Sequence, residues 1–250
     1  MKFQNSKVAI EISGLKKTYG TTHVLQGIDL KIQRGSFFGL LGPNGAGKTT
    51  TIHIICGLTL ASGGRVQIFG KDHLTHYREA RRAIGLSGQE YNLDRFFPLH
   101  KSLTYHGRLF GIPKLKLKNQ IEKLLHQFGL HEHRNHKTHK LSGGLKRRMM
   151  MVKALLHDPE ILILDEPTAG VDVELRIDLW NFLRKFNQEG KTIILTTHYL
   201  EEAENLCQEI AILSKGKIAI CDTKENVIQQ AKGNLMNYFI TEKQSEGFNA

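Results

Sequence analysis

The chain has 250 residues, 35 Lys and Arg against 24 Asp and Glu, a formal net charge of +11 and three cysteines. That length buries on the order of 70–75 % of the unfolded surface, which suits one domain with an added lobe rather than two independent domains. No apolar run approaches the roughly 20 residues that span a bilayer, and Met1-Lys2-Phe3-Gln4-Asn5-Ser6 lacks the apolar stretch of a secretory signal, so neither membrane insertion nor export of the chain is expected. Cys56, Cys207 and Cys221 are odd in number and far apart, as for reduced thiols rather than a disulfide framework. The pI near 9.6 suits nucleic acid or an anionic membrane surface. Its basic clusters, Lys16-Lys17, Arg81-Arg82, Lys114 to Lys118 and Lys146 to Arg148, are dispersed and lack interleaved aromatics, which weighs against nucleic acid.

In chain order, Val8 to Ile12 reads as a strand and Phe37 to Leu41 as a buried one. The second is followed by Gly42-Pro43-Asn44-Gly45-Ala46-Gly47-Lys48-Thr49-Thr50 and a helical run to Cys56. Between a strand and a helix this spacing is a phosphate loop. Unpaired N–H groups and about half a unit of positive dipole charge face the ligand, and the glycines let the backbone approach phosphate oxygens. Lys48 adds a full charge toward the β- and γ-phosphates, and the Thr49 hydroxyl suits Mg²⁺.

Val66 to Phe69 reads as a further strand, after which residues from about 90 to 158 are mostly helical. Leu99 to Phe110 and Ile121 to Phe128 carry that lobe, with Gly111 and Pro113 marking a break between helices. Phe96 and Phe97 fit core packing or a docking contact, core packing being the commoner fate. His126, His131, His133, His136 and His139 have spacings that could hold a transition metal; Glu132, Arg134, Asn135 and Lys137 among them favour a polar surface turn.

Leu141-Ser142-Gly143-Gly144 comes next. Ser142 is a good N-cap for a helix reaching about His157, and Gly143 and Gly144 expose backbone N–H groups, so this is a second anion site. Ile161 to Leu164 is another continuous apolar strand that delivers Asp165 and Glu166 at its carboxyl end, where open α/β sheets bind ligands. Two adjacent carboxylates there call for a cation: Asp165 suits Mg²⁺, and Glu166 is placed to polarise water attacking a γ-phosphate. Val173 to Gln188 reads as a helix, Thr192 to Leu195 as a strand, and His198 follows it.

The order of phosphate loop, Gln89, Leu-Ser-Gly-Gly, Leu164-Asp165-Glu166-Pro167, Gly170-Val171-Asp172 and Thr197-His198 resembles the ATP-binding subunit of an ABC transporter, from Ala9 to about Thr223. The resemblance implies an α/β fold: a P-loop NTPase core with a mixed sheet, about 1–89 and 159–222, a helical signature subdomain, about 90–158, and a short extension, 223–250. It implies that Tyr19 stacks on adenine, that Gln89 joins Mg²⁺ and the attacking water to the helical subdomain, and that His198 contacts the γ-phosphate. Ser142, Gly143 and Gly144 would contact ATP bound to an opposing subunit, and Asp172 would cross the dimer interface. Two chains, or this chain and a paired ATPase, would sandwich two ATP molecules and act on a separate transmembrane permease from the cytoplasmic face of the membrane.

Two positions depart from that pattern: Leu145 stands where Gln is usual, and Ser87-Gly88 precedes Gln89 where Pro is common. Leu145 puts in doubt a polar contact across the interface. The segments around Asp172 and His198 are similar to those of ABC-2 type exporters. A soluble ABC ATPase acting on nucleic acid or ribosomes is the alternative, but neither a heptad-rich insertion nor a second ATP domain is present. A third reading, an inactive regulatory subunit, is opposed by Glu166 and His198.

Overall fold

The structure is a computed structural model that describes residues 6–168 and 173–230. It opens with long strands β1 (Val8–Tyr19) and β2 (Thr22–Gln33), then β3 (Phe37–Leu41), α1 (Lys48–Ile55), β4 (Gly63–Ile68), β5 (Lys71–Asp72), α2 (Tyr77–Ala83) and β6 (Ile84–Ser87). Three helices follow, α3 (Leu99–Leu109), α4 (Lys114–Gln127) and α5 (Gly143–Leu155). The chain then returns through β7 (Ile161–Asp165), α6 (Val173–Gln188), β8 (Thr192–Thr197), α7 (Leu200–Leu206), β9 (Glu209–Ser214), β10 (Lys217–Thr223) and α8 (Lys224–Gln230).

Two sheets form. The larger runs β10-β9-β3-β8-β7-β6, parallel except for the β9–β10 hairpin, and the smaller, antiparallel, runs β2-β1-β4-β5. β3 and β7 are buried at every position, because their alternating side chains feed two cores. Phe37, Leu41, Leu162 and Leu164 pack with the helices of the 99–155 lobe and with α6, whereas Phe38, Leu40, Ile161 and Ile163 pack toward α1 and the smaller sheet. This double burial is why both strands read as unbroken apolar runs.

Several elements differ from the expectation. β1 runs on past Ile12 to Tyr19, its register against β2 shifting around Gly14. β2, β6, β9 and β10 were not among the expected strands, although Ile28-Asp29-Leu30-Lys31-Ile32 alternates buried with exposed as a half-buried strand should. The break at Gly111 to Pro113 falls where expected, between α3 and α4. Phe96 is 79 % exposed and Phe97 is 38 % exposed, so the commoner fate, core packing, does not hold for them.

Candidate nucleotide site

Register alone assembles one end of the larger sheet. Leu41 of β3 lies beside Thr197 of β8, Asp165 of β7 beside Thr196 of β8, and Ser87 of β6 beside Leu164 of β7. Four neighbouring strands therefore end at one level and in one direction. What leaves their carboxyl ends is the loop from Gly42, His198, the Asp165-Glu166 pair and Gln89.

The loop between β3 and α1 is tightly held at its ends and open at its tip. Pro43, Asn44 and Gly45 are exposed, Ala46, Gly47 and Lys48 are buried, and Thr49 and Thr50 are half-buried. Gly42 has no room for a side chain, since a Cβ there would sit 2.2 Å from the Leu213 carbonyl oxygen. Gly47 has φ 109 and a Cβ would fall 2.6 Å from Leu25 Cδ2, so β2 backs the loop directly. Lys48 Nζ donates to the carbonyls of Gly42, at 2.8 Å, and Pro43, at 3.1 Å, curling the loop around its own ammonium. Burial pulls the Lys48 pKa below the usual lysine range, against the opposing pull of Glu166 and Asp165.

Asp165 is 1 % exposed. One carboxylate oxygen accepts from the Thr196 hydroxyl, and the other, Oδ2, has no hydrogen-bond partner. A buried carboxylate oxygen left without a donor, beside an ammonium and a phosphate loop, is the donor set a hard divalent cation takes, so these residues fit Mg²⁺.

Glu166 is held in a left-handed conformation, φ 48, which costs a non-glycine residue about 1–3 kcal/mol and persists only where neighbours over-determine it. Its N–H donates to the Thr196 carbonyl at 3.0 Å and lies 3.2 Å from the Thr196 hydroxyl, while its carbonyl accepts from Arg147. Its carboxylate receives His198 Nδ1 at 3.1 Å on Oε1 and Gln89 Nε2 at 3.4 Å on Oε2. A carboxylate only accepts, so Nδ1 carries the proton in this contact and Nε2 is left for another partner.

Arg147, the third residue after Gly144, is only 5 % exposed and was read from sequence as part of a dispersed basic cluster. Its guanidinium reaches from α5 to three carbonyls: Pro167 at 2.7 Å, Gly88 at 2.9 Å and Glu166. One side chain thus ties the helix that opens at Ser142 to the residues flanking both Gln89 and Glu166. Burial lowers its pKa, opposed by the phenol of Tyr91 and the nearby acids.

The remaining expected residues lie apart from this cluster. Ser142 caps α5 by accepting from Leu145 N–H at 3.4 Å, and Ser142 and Gly143 are exposed, with Gly144 half-buried. Among the described residues no hydrogen bond joins them to the loop from Gly42 to Thr50. Tyr19, at the end of β1, is 48 % exposed with Lys17 Nζ 4.5 Å from its ring centre. Asp172 lies outside the described residues. Leu145 turns inward and packs against the lobe core.

A buried strand end that presents a phosphate loop, a carboxylate pair and a polarising His and Gln defines a nucleoside-triphosphate hydrolase. Residues 25–169 match the family model described as ABC transporter. The Nod factor export ATP-binding protein I of Rhizobium sp. (strain N33) is 42 % identical over 212 residues, 85 % of this chain and 70 % of that protein. Its namesake from Ralstonia nicotianae is 39 % identical over 83 % of this chain and 65 % of its own length, so the chain spans about two thirds of these relatives. Among solved structures, an ATP-binding subunit of an ABC transporter superposes with a TM-score of 0.86 at 27 % identity, covering 93 % of this chain and 98 % of that one. A dimeric ATP-binding cassette in a post-hydrolysis state with ADP and Pi superposes at 0.79 with 25 % identity, over 86 % of this chain and 98 % of its own. The chain belongs to the ABC transporter family, as an ATP-binding subunit. It is an ATPase.

Proposed function

We propose that the chain powers export of a substrate through a separate membrane-spanning permease, working as one of a pair of ATPase subunits at the cytoplasmic face of the membrane. The observation that carries the catalytic part is the convergence of His198 and Gln89 on the two oxygens of one carboxylate, Glu166, next to the half-satisfied Asp165. Export is supported by the names of the relatives, which are export ATP-binding proteins. A separate membrane-spanning partner is in keeping with the described residues, none of whose helices is long and apolar enough to cross a bilayer. Direct action on nucleic acid is not expected.

In this reading the N–H groups from Gly42 to Thr50 wrap the phosphates, Lys48 exchanges its carbonyl partners for β- and γ-oxygens, and Tyr19 stacks on the adenine. Asp165, Thr49 and Gln89 hold Mg²⁺, which when bound neutralises charge on the β- and γ-phosphates. Glu166 accepts a proton from the attacking water as general base, and His198, held by Glu166 through Nδ1, donates from a protonated Nε2 to the γ-phosphate. Ser142, Gly143 and Gly144 reach the ATP of the partner chain, with Asp172 at the same interface. The exposed Phe96 and Phe97 offer a contact for the permease.

Glu166→Gln is expected to retain ATP binding and to slow hydrolysis by roughly 10²–10⁴-fold. That trapped variant, bound to ATP and Mg²⁺, should then recover a polytopic protein from detergent-solubilised membranes. An unchanged turnover removes Glu166 from its role, and recovery of ribosomes or DNA alone removes the permease.

A further inference from the structure

The histidine-rich stretch before Ser142 takes no part in the chemistry above, yet it folds into a defined cluster. Glu122 and His126 stand one turn apart on the same face of α4, the i, i+4 spacing that brings side chains together. The chain then turns at Gly129, φ 63, pinned by Gly129 N–H to His126 O at 3.1 Å and Leu130 N–H to Leu125 O at 2.7 Å, and a short 3₁₀ turn, His131–His133, brings His131 back over them. One ligand atom from each of Glu122, His126 and His131 lies within 4.8 Å of the others.

The three donors are of the types a transition-metal ion takes. The imidazoles of His126 and His131 stack with centres 3.8 Å apart, which brings their ring nitrogens close together. His131 Nε2 lies 3.3 Å from Glu122 Oε2 and also 3.3 Å from Arg134 Nη1. Arg134 Nη1 also lies 3.8 Å from Glu122 Oε2, so the guanidinium stands beside both prospective ligand atoms and has to swing aside for an ion to enter. Two imidazoles with one carboxylate match the donors of zinc sites that keep one open position. Around such an ion, with bonds of about 2.0–2.2 Å, ligand atoms stand roughly 3.3–3.6 Å apart. Reaching that from 4.8 Å requires rotation of the side chains, of which His126 is exposed and Glu122 and His131 are half-buried.

We propose that Glu122, His126 and His131 form a binding site for a divalent transition-metal ion of the Zn²⁺ class, joining the end of α4 to the loop that leads to Ser142. The loop beyond His131 is already bonded to the segment carrying Phe96 and Phe97. Leu99 N–H donates to His136 O at 3.1 Å, His139 Nδ1 meets Arg95 O at 2.9 Å, and Thr138 donates to the Asp94 carbonyl. An ion at this position braces one side of the surface on which those phenylalanines stand. A second histidine pair, His133 and His136, has its Nδ1 atoms 3.2 Å apart and supplies an internal control.

The test is equilibrium dialysis of the full chain, without a histidine tag, against Zn²⁺ in millimolar Mg²⁺. The Mg²⁺ fills oxygen-rich sites and competes poorly for imidazole. The expected result is one Zn²⁺ per chain bound more tightly than micromolar, weakened at least ~10-fold by each of Glu122→Gln, His126→Ala and His131→Ala and unchanged by His133→Ala or His136→Ala. A Co²⁺-loaded chain should show the visible absorption of a nitrogen-ligated ion, lost in the same three variants. Circular dichroism melts check that these surface variants fold. Binding no tighter than micromolar overturns the proposal, as does binding that survives His131→Ala or that requires His133 or His136.

Discussion

The two anion-binding helix starts of this molecule are built to different degrees. At the first, the loop from Gly42 to Lys48 is backed by β2, bonded to itself and faced by Asp165 and Glu166 from the end of β7. At the second, Ser142 caps its own helix and leaves the adjoining glycines facing outward, with no ligand-directed group of the same chain opposite among the described residues. The first is a site that one chain nearly completes, and on the proposed reading the second is half of one. A nucleotide held by the first and closed by the second from another chain uses both, and the dimeric solved structure of a similar cassette shows that such chains can pair.

The largest effect expected on this asymmetry comes from the completed side, where Glu166→Gln removes the general base and leaves the loop intact, as set out above. Next is Arg147→Ala, which severs the connection between the halves. Three backbone carbonyls lose a charged donor, and each unsatisfied group costs about 1–3 kcal/mol before water relieves it. A loss of about 3 kcal/mol, or roughly 6–12 °C in Tm, together with slower hydrolysis is expected by calorimetry and phosphate release. Should hydrolysis fall no further than stability explains, Arg147 holds the fold and does not couple the halves.

Within the completed side, Glu202 sharpens the contrast. Its carboxyl is 1 % exposed near Thr168, Thr197, Trp180 and Arg176, with neither oxygen in a well-formed hydrogen bond, and burial raises its pKa above the usual 4.5. The folded chain therefore binds this proton more tightly than the unfolded chain. Stability contributed by the neutral form is present at about pH 4.5 and is lost as pH climbs toward the raised value. Glu202→Gln is expected to remove that loss and raise Tm at pH 7, with no gain at pH 4.5. An equal shift at both pH values would show that packing, not ionisation, is responsible.

The smallest effect is expected on the open side. Leu145 packs inward, so Leu145→Gln should alter stability by no more than ~1 kcal/mol and change ATP-driven pairing measurably but modestly. If pairing and hydrolysis are both untouched, the position is silent.

How much of this could be read from sequence follows from what kind of signal each residue carries. β3 and β7 were legible because burial on both faces leaves no polar position, and the loop and carboxylates follow directly from where those strands end. Ser142 was legible as a cap, and its bond to Leu145 N–H is in place. β2 carries a clear alternation from Ile28 to Ile32 that went unused, and the β9–β10 hairpin hides its signal in a two-residue turn, Lys215-Gly216, with φ 46 and 75. Arg147 was not legible. Flanked by Lys146 and Arg148 it looks like one of a solvated run, and only the three-dimensional approach of the Glu166, Pro167 and Gly88 carbonyls buries it. The closing of Gln89 and His198 on Glu166 was not anticipated: the resemblance gave each a role toward the nucleotide, but each stands alone in sequence and meets Glu166 only through strand register.

The claim that the second helix start completes another chain's site is tested most directly by sedimentation of Glu166→Gln with ATP and Mg²⁺. The 28.3 kDa chain should double in mass on adding ATP, and Ser142→Ala should weaken that doubling without changing ATP binding to the monomer. A chain saturated with ATP that stays monomeric at every concentration, or that pairs equally well without Ser142, contradicts the account.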